Sequence, residues 1–211
     1  MIYEKLPLIF DIEKLKEYYH ETVIKFPPVV QGVQGNSVWQ AWAITSENGD
    51  YQDGCITNDF VQKTLPNGEV MLDKEKTKGY RAPQVHVNYT QVGTGYVREI
   101  IEQIKAYGLN PCRARWAGLV AGKSTLWHRD EEDQNYRVFL HIPVITHSSC
   151  LFETKEGSVH LPADGSGYLL AVNRMHRGVN PSDQDKIHVM MDIVDNSGVT
   201  KHHAVPSMIN I

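Results

Sequence analysis

The sequence predicts a mainly β protein with flanking helices, a sandwich or barrel of the jelly-roll kind. From residue 112 onward, short runs rich in β-branched and aromatic residues alternate with turn signals. Helical apolar spacing is confined to two stretches before that point. Histidine is abundant, with ten copies, several of them in the β-rich half. Many short strands at regular spacing mark a sandwich or barrel, and the jelly roll is the variety that most often holds a metal.

Taking the chain in order, Ile12, Leu15, Tyr18, Tyr19 and Ile24 recur at roughly helical spacing and predict an amphipathic helix over 11–25, stopped by Pro27-Pro28. Residues 38–45 read as a strand, followed by a turn at Asn48-Gly49-Asp50. The polar segment 46–94 predicts long surface loops, a lid over a barrel mouth among their roles, with Tyr80-Arg81 and His86 in it. Val97, Ile100, Ile101 and Ile104 form one stripe of a second helix over 95–107, which Gly108 ends. Strands follow at 113–120, 136–145, 149–153, 157–161, 167–172 and 187–194, separated by turns such as Ala121-Gly122, Glu156-Gly157, Asp164-Gly165 and Asn180-Pro181.

With 211 residues, the chain fits a single domain, residues 1–110 forming a helical and loop extension on a jelly-roll core at 111–195. A formal charge of −4 with no Lys/Arg block argues against nucleic-acid binding, which needs a basic footprint. No apolar run reaches the ~18 residues of a membrane span, and Met1–Pro7 lacks the basic start and apolar stretch of a signal peptide. Cys55, Cys112 and Cys150 are odd in number and contain no Cys-x-x-Cys pair, as for free thiols in the cytoplasm. Oligomeric state is left open.

His128-Arg129-Asp130 follows the run ending in Val120-Ala121-Gly122, and residues two apart in an extended segment point to one side. His176 comes 48 residues later, after Tyr168–Val172. Two imidazoles and a carboxylate on one face form the facial triad of non-haem Fe(II) oxygenases, with positions left open for substrate and O2. The pattern alone leaves metal ligation and solvated loop residues both open. Two further features weigh toward the metal. Lys186 opens the last β run ten residues after His176, and Arg137, Phe139 and His141 share one strand face. A cation on an inward face implies an anion to meet it.

Residues 113–192 resemble the aspartyl/asparaginyl β-hydroxylase family of Fe(II)/2-oxoglutarate-dependent dioxygenases. The matching text is Arg113-Ala114-Arg115-Trp116-Ala117, Val120-Ala121-Gly122, His128, Tyr136 to Val144, His176 with Asn180, and Lys186-Ile187-His188 through Asp192. The resemblance implies a double-stranded β-helix (jelly roll, cupin-like). It implies His128, Asp130 and His176 as Fe(II) ligands and catalytic residues, with 2-oxoglutarate and O2 as co-substrates. Lys186 stands where the family usually has the arginine that holds the far carboxylate of 2-oxoglutarate. His141 matches a histidine at that pocket. The arginine two residues before it is Phe139 here, so Arg137 is a second candidate for the co-substrate. Ala117 stands where some members have a serine. His188 joins the pocket if it shares the inward parity of Lys186. Arg115, with the parity of Ala117, is a candidate for a substrate carboxylate, and Trp127 for a wall of the substrate site.

The implied reaction hydroxylates a C–H bond of an amino acid, free or in a peptide, with release of succinate and CO2. Two other classes compete: a cupin-type metalloenzyme that does not use 2-oxoglutarate, and a non-catalytic jelly-roll binding protein. His147, His160 and the His202-His203 tail are expected to be structural or solvated.

Overall fold

The computed structural model describes residues 3–33, 36–54, 62–68, 70–73, 75–76, 83–130, 138–172 and 174–194. In chain order the first half carries β1 (Tyr3–Ile9), α1 (Ile12–Glu21), β2 (Val29–Val33), β3 (Asn36–Ala43), β4 (Thr45–Ser46), β5 (Gln62–Thr64), β6 (Val70–Leu72), β7 (Asn88–Tyr89) and α2 (Gly95–Ala106). The second half carries β8 (Asn110–Leu119), β9 (Lys123–Ser124), β10 (Val138–Ile145), β11 (Leu151–Thr154), β12 (Gly157–Val159), β13 (Ser166–Ala171), β14 (His176–Asn180) and β15 (Lys186–Val194).

Seven strands form a large antiparallel sheet in the order β1-β13-β10-β15-β8-β3-β2, and four form a small one in the order β12-β11-β14-β9. Strands β8 to β15 thus divide four and four, crossing repeatedly between two facing sheets, which is the jelly-roll pattern. The fold is mainly β with flanking helices, as the sequence predicts.

Period-two alternation sorts the side chains of the large sheet into two cores. Ala114 and Trp116 of β8, Leu140, Ile142 and Val144 of β10, and Ile187, Val189, Met191 and Ile193 of β15 face Leu15 and Tyr19 of α1 and the four predicted stripe residues of α2. The opposite parity faces the small sheet, where Ala117, Phe139, Tyr168, Leu170 and Met190 meet Phe152 and Leu161. Nine consecutive residues of β8, Pro111–Leu119, are buried because both faces of that strand are covered.

Three features differ from the sequence expectation. The predicted 11–25 helix ends at Glu21, and a separate 3-10 turn covers Val23–Lys25. At its start Asp11 accepts a hydrogen bond from the Lys14 N–H, a side-chain cap. The region before residue 110 is more than helix and loop: β1 extends one edge of the large sheet and β2–β3 the other. β1 carries Pro7, tolerated on an edge strand, and buries only Leu6, so it shows little alternation in sequence. Strand β14 is also missing from the sequence expectation, since His-Arg-Gly-Val-Asn lacks a β-rich run. The loop segment 46–94 holds two small two-stranded sheets, β4–β7 and β5–β6, and a 3-10 turn at Pro83–Val85, among the described residues.

Candidate metal centre and its pocket

The segment after β9 runs beside β14 and is fastened to it by backbone bonds. Thr125 N–H donates to Gly178 O at 2.9 Å, His128 N–H to His176 O at 3.0 Å, and His176 N–H back to His128 O at 2.8 Å. Asp130 N–H donates to Val172 O at 3.0 Å. This ladder brings together two histidines far apart in sequence, with ring centroids 4.4 Å apart.

Asp130 completes the set. His128 Nε2 lies 3.8 Å from Asp130 Oδ1, and His176 Nε2 lies 4.0 Å from Asp130 Oδ2. One ligand atom from each of the three residues lies within 4.8 Å of the others. Both rings are held the same way. His128 Nδ1 bonds the Leu126 carbonyl at 2.7 Å, and His176 Nδ1 bonds the Arg174 carbonyl at 2.8 Å. A carbonyl only accepts, so each Nδ1 carries a proton, and each Nε2 is the ring atom turned toward the carboxylate. This is how metal-binding histidines are oriented by the group behind them.

The electrostatics agree. Burial, with the neighbouring His128, pushes the His176 imidazole down to about 3, which keeps it neutral. Desolvation raises the Asp130 carboxyl, opposed first by His128. Asp130 Oδ2 is buried with no hydrogen-bond partner among the described residues. Two imidazole nitrogens and a desolvated carboxylate oxygen facing one point fit a divalent cation, and two imidazoles with one carboxylate define the facial-triad set used by Fe(II).

The inward face of the large sheet carries further buried polar side chains. Lys186, His188, Met190 and Asp192 share one parity of β15 and are all buried. Lys186 has no ion pair among the described residues, and burial pushes its ammonium down to about 8. Its position is set by the turn before it. Asn180 donates to Leu119 O and Gln184 O, each at 2.8 Å, and Asp185 accepts from Ala121 N–H and Gln40 Nε2. His141 of β10 also points inward, with Phe152 between it and the triad: the Phe152 ring stacks on His176 at 5.2 Å and meets His141 at 6.5 Å. His141 and His188 meet through their Nδ1 atoms at 3.3 Å.

Arg115 lies level with Met190 in the β8–β15 register and packs over the Phe139 ring at 5.1 Å. Asp192, buried behind it, accepts from Arg113 Nε at 2.9 Å and Nη2 at 3.3 Å and lies 3.8 Å from Arg115 Nη1. The ion pair depends on a β-bulge. Between Met190 and Asp192 the pairing on β8 skips from Arg115 to Cys112, and Arg113 adopts a left-handed φ of 44°. A bulge of this kind re-aims a side chain, and here it turns Arg113 into a fork on Asp192. Sequence reasoning missed this pair. Its signal was an acid at the inward parity of Lys186 and His188.

Other expectations fall elsewhere. Trp127 packs against Arg177, 5.0 Å from its ring, and Lys155, at 4.7 Å. Arg177 follows inward His176 on β14 and pairs with Glu153 at 2.6 Å, so Trp127 sits with the outward side chains of the small sheet. His86 is buried, and its carbonyl accepts from Arg113 N–H at 2.8 Å, which ties the loop region to the bulge. His147 and His160 make local bonds to Ser149 and the Cys150 carbonyl. Arg137, Tyr80-Arg81, Cys55 and His202-His203 lie outside the described residues. No helix among the described residues is long and apolar enough to cross a membrane.

No protein-family model matches the chain, and no curated protein does. Among solved structures it is similar to a 2OG-Fe(II) oxygenase family oxidoreductase from Burkholderia pseudomallei, with 11% identity over 90% of this chain and 84% of that one, and a TM-score of 0.49. A viral collagen prolyl hydroxylase from Paramecium bursaria Chlorella virus-1, solved as its 2OG complex, shares 10% identity over 92% and 96%, with a TM-score of 0.48. A cupin domain from Bordetella pertussis shares 26% identity over 42% of this chain and 95% of that one, with a TM-score of 0.32. With TM-scores this low, the jelly-roll class rests on this chain's own strand order, and the metal centre on its own ligand geometry.

Proposed function

We propose that the protein is an Fe(II)/2-oxoglutarate-dependent dioxygenase that hydroxylates a C–H bond of an amino acid, free or within a peptide, with release of succinate and CO2. The observation that carries this reading is a pre-oriented two-histidine, one-carboxylate set opening onto an interior that also holds a buried lysine with no anionic partner among the described residues. Fe(II) held by His128, Asp130 and His176 would supply the coupling of O2 and 2-oxoglutarate decarboxylation to C–H hydroxylation.

The chain's own residues supply binding and orientation. Lys186 offers a charge for the far carboxylate of 2-oxoglutarate, and a desolvated site makes that pairing strong. Lysine lacks the two-pronged fork of arginine, so a further donor is needed to fix the carboxylate's rotation. We assign that role to His141, which is buried on the same inward side and feels the charge of Lys186. Arg115, held by Phe139 stacking and by Asp192, is the residue we assign to a carboxylate of the substrate, which supports an amino-acid or peptidyl target. The resemblance of 113–192 to the aspartyl/asparaginyl β-hydroxylases supports the same substrate class.

The test is anaerobic addition of Fe(II) and 2-oxoglutarate, which should produce a weak visible charge-transfer band that His176→Ala abolishes. A band that survives His176→Ala unchanged, or its absence in the parent protein, counts against the assignment. Succinate release across a panel of free amino acids and Asp/Asn-containing peptides then identifies the substrate.

A further inference from the structure

His188 is inward, only 2% exposed, and has no counterpart role in the triad or in the lysine contact. Its Nδ1 lies 3.3 Å from the Nδ1 of His141, while the Nε2 atoms of both rings are buried and have no hydrogen-bond partner among the described residues. Burial and the charge of Lys186 hold both imidazoles neutral. A neutral imidazole carries one N–H. A hydrogen bond between two Nδ1 atoms therefore requires that one ring carry its proton there and the other carry it on Nε2. The tautomers of the two rings are coupled: the pair presents one Nε2–H donor and one bare Nε2.

The surroundings decide which ring is the donor. His141 lies on the triad side of the pair, with Phe152 between it and His176, and it feels Lys186, Arg115 and His176. His188 lies two residues from Lys186 on the same strand face and feels Lys186 and His160. His141 feels the charges of both Lys186 and His176, and with its Nδ1 taken up by His188 only the Nε2–H form of the ring can donate to an anion between them.

Resting on the function proposed above, we propose that His188 is a positioning residue: its Nδ1–H donates to His141 Nδ1 and so fixes His141 as an Nε2–H donor to the co-substrate carboxylate held by Lys186. The logic is that of a group which sets a histidine tautomer from behind. The bare Nε2 of His188 then lies on the strand face it shares with Lys186, whose charge disfavours a second proton on that ring.

The test compares the parent protein with His188→Leu, which removes the donor, and His188→Asn, whose amide N–H can stand near the place of Nδ1. Zn(II)-loaded protein is redox-inert and diamagnetic, so 2-oxoglutarate affinity is measured by calorimetry and the His141 protonation site by nitrogen-15 NMR. His188→Leu should weaken 2-oxoglutarate about tenfold, the usual cost of removing the partner that orients a histidine from behind, with Zn(II) affinity unchanged. His188→Asn should recover most of that loss. In the parent complex the His141 proton should reside on Nε2. Parent-level affinity in His188→Leu, equal losses in both variants, or a His141 proton on Nδ1 in the parent complex would overturn the proposal. If the parent itself binds no 2-oxoglutarate, the functional reading on which it rests fails instead.

Discussion

Replacing Lys186 by methionine should make the protein more stable and unable to hold its co-substrate. The ammonium is buried, and its pKa falls from the usual 10.5 to about 8. The unfolded chain therefore binds more protons than the folded one between pH 8 and 10.5. Stability rises with pH through that window, and the full penalty for the charge is present below it. The shift corresponds to about 3 kcal/mol. Lys186→Met removes the penalty and keeps an apolar stem of similar length, so at pH 7 it should gain up to about 3 kcal/mol, several degrees in Tm for a chain of this size. The same change deletes one partner of a buried ion pair in the complex. That loss is worth about 3–5 kcal/mol, or some 10²–10⁴-fold in the KM for 2-oxoglutarate. Two assays decide it: urea denaturation without co-substrate at pH 7 and 10, and succinate formation against 2-oxoglutarate concentration. A destabilised Lys186→Met, or a KM within threefold of the parent, would refute the reasoning.

Further outcomes follow from the same geometry. Lys186→Arg should remove the alkaline limb of kcat/KM for 2-oxoglutarate near pH 8, because guanidinium stays charged; a pH profile of both proteins checks this, and a limb that persists counts against Lys186. Asp192→Asn takes away the carboxylate shared by Arg113 and Arg115 in a site only 2–3% exposed at the Arg113 contact, and should cost about 3–5 kcal/mol in chemical denaturation. Asp130→Asn should leave the fold intact, with Tm equal or slightly raised, since desolvation already disfavours its charge, while metal affinity measured by calorimetry falls at least tenfold. Gly165→Ala should destabilise by more than 1 kcal/mol in the same denaturation assay, because φ is +84° and a Cβ there would collide with the Phe10 carbonyl oxygen.

Much of the site is legible as parity. Lys186, His188 and Asp192, like Arg115 and Ala117, were assignable to one strand face because alternation is a local property of extended backbone, and the structure keeps those faces. His188 faces inward on that ground. The helix stripe of α2 was legible for the same reason, its four apolar residues repeating at helical spacing. Edge strand β1 and strand β14 were not, since an edge strand buries one side chain in seven and β14 gains its order from neighbours.

Sequence by itself determined the β-rich class, the helical stripes and the donor chemistry: histidine, aspartate and a lone inward lysine are properties of residue type and spacing. Tertiary structure decided which of the ten histidines converge. Paired backbone bonds between His128 and His176 bring two remote segments together, and the carbonyls of Leu126 and Arg174 set their tautomers. It also turned Trp127 outward and bent β8 so that Arg113 reaches Asp192. These outcomes depend on register and bulge position, which strand pairing fixes between segments distant in the chain and which no local pattern encodes.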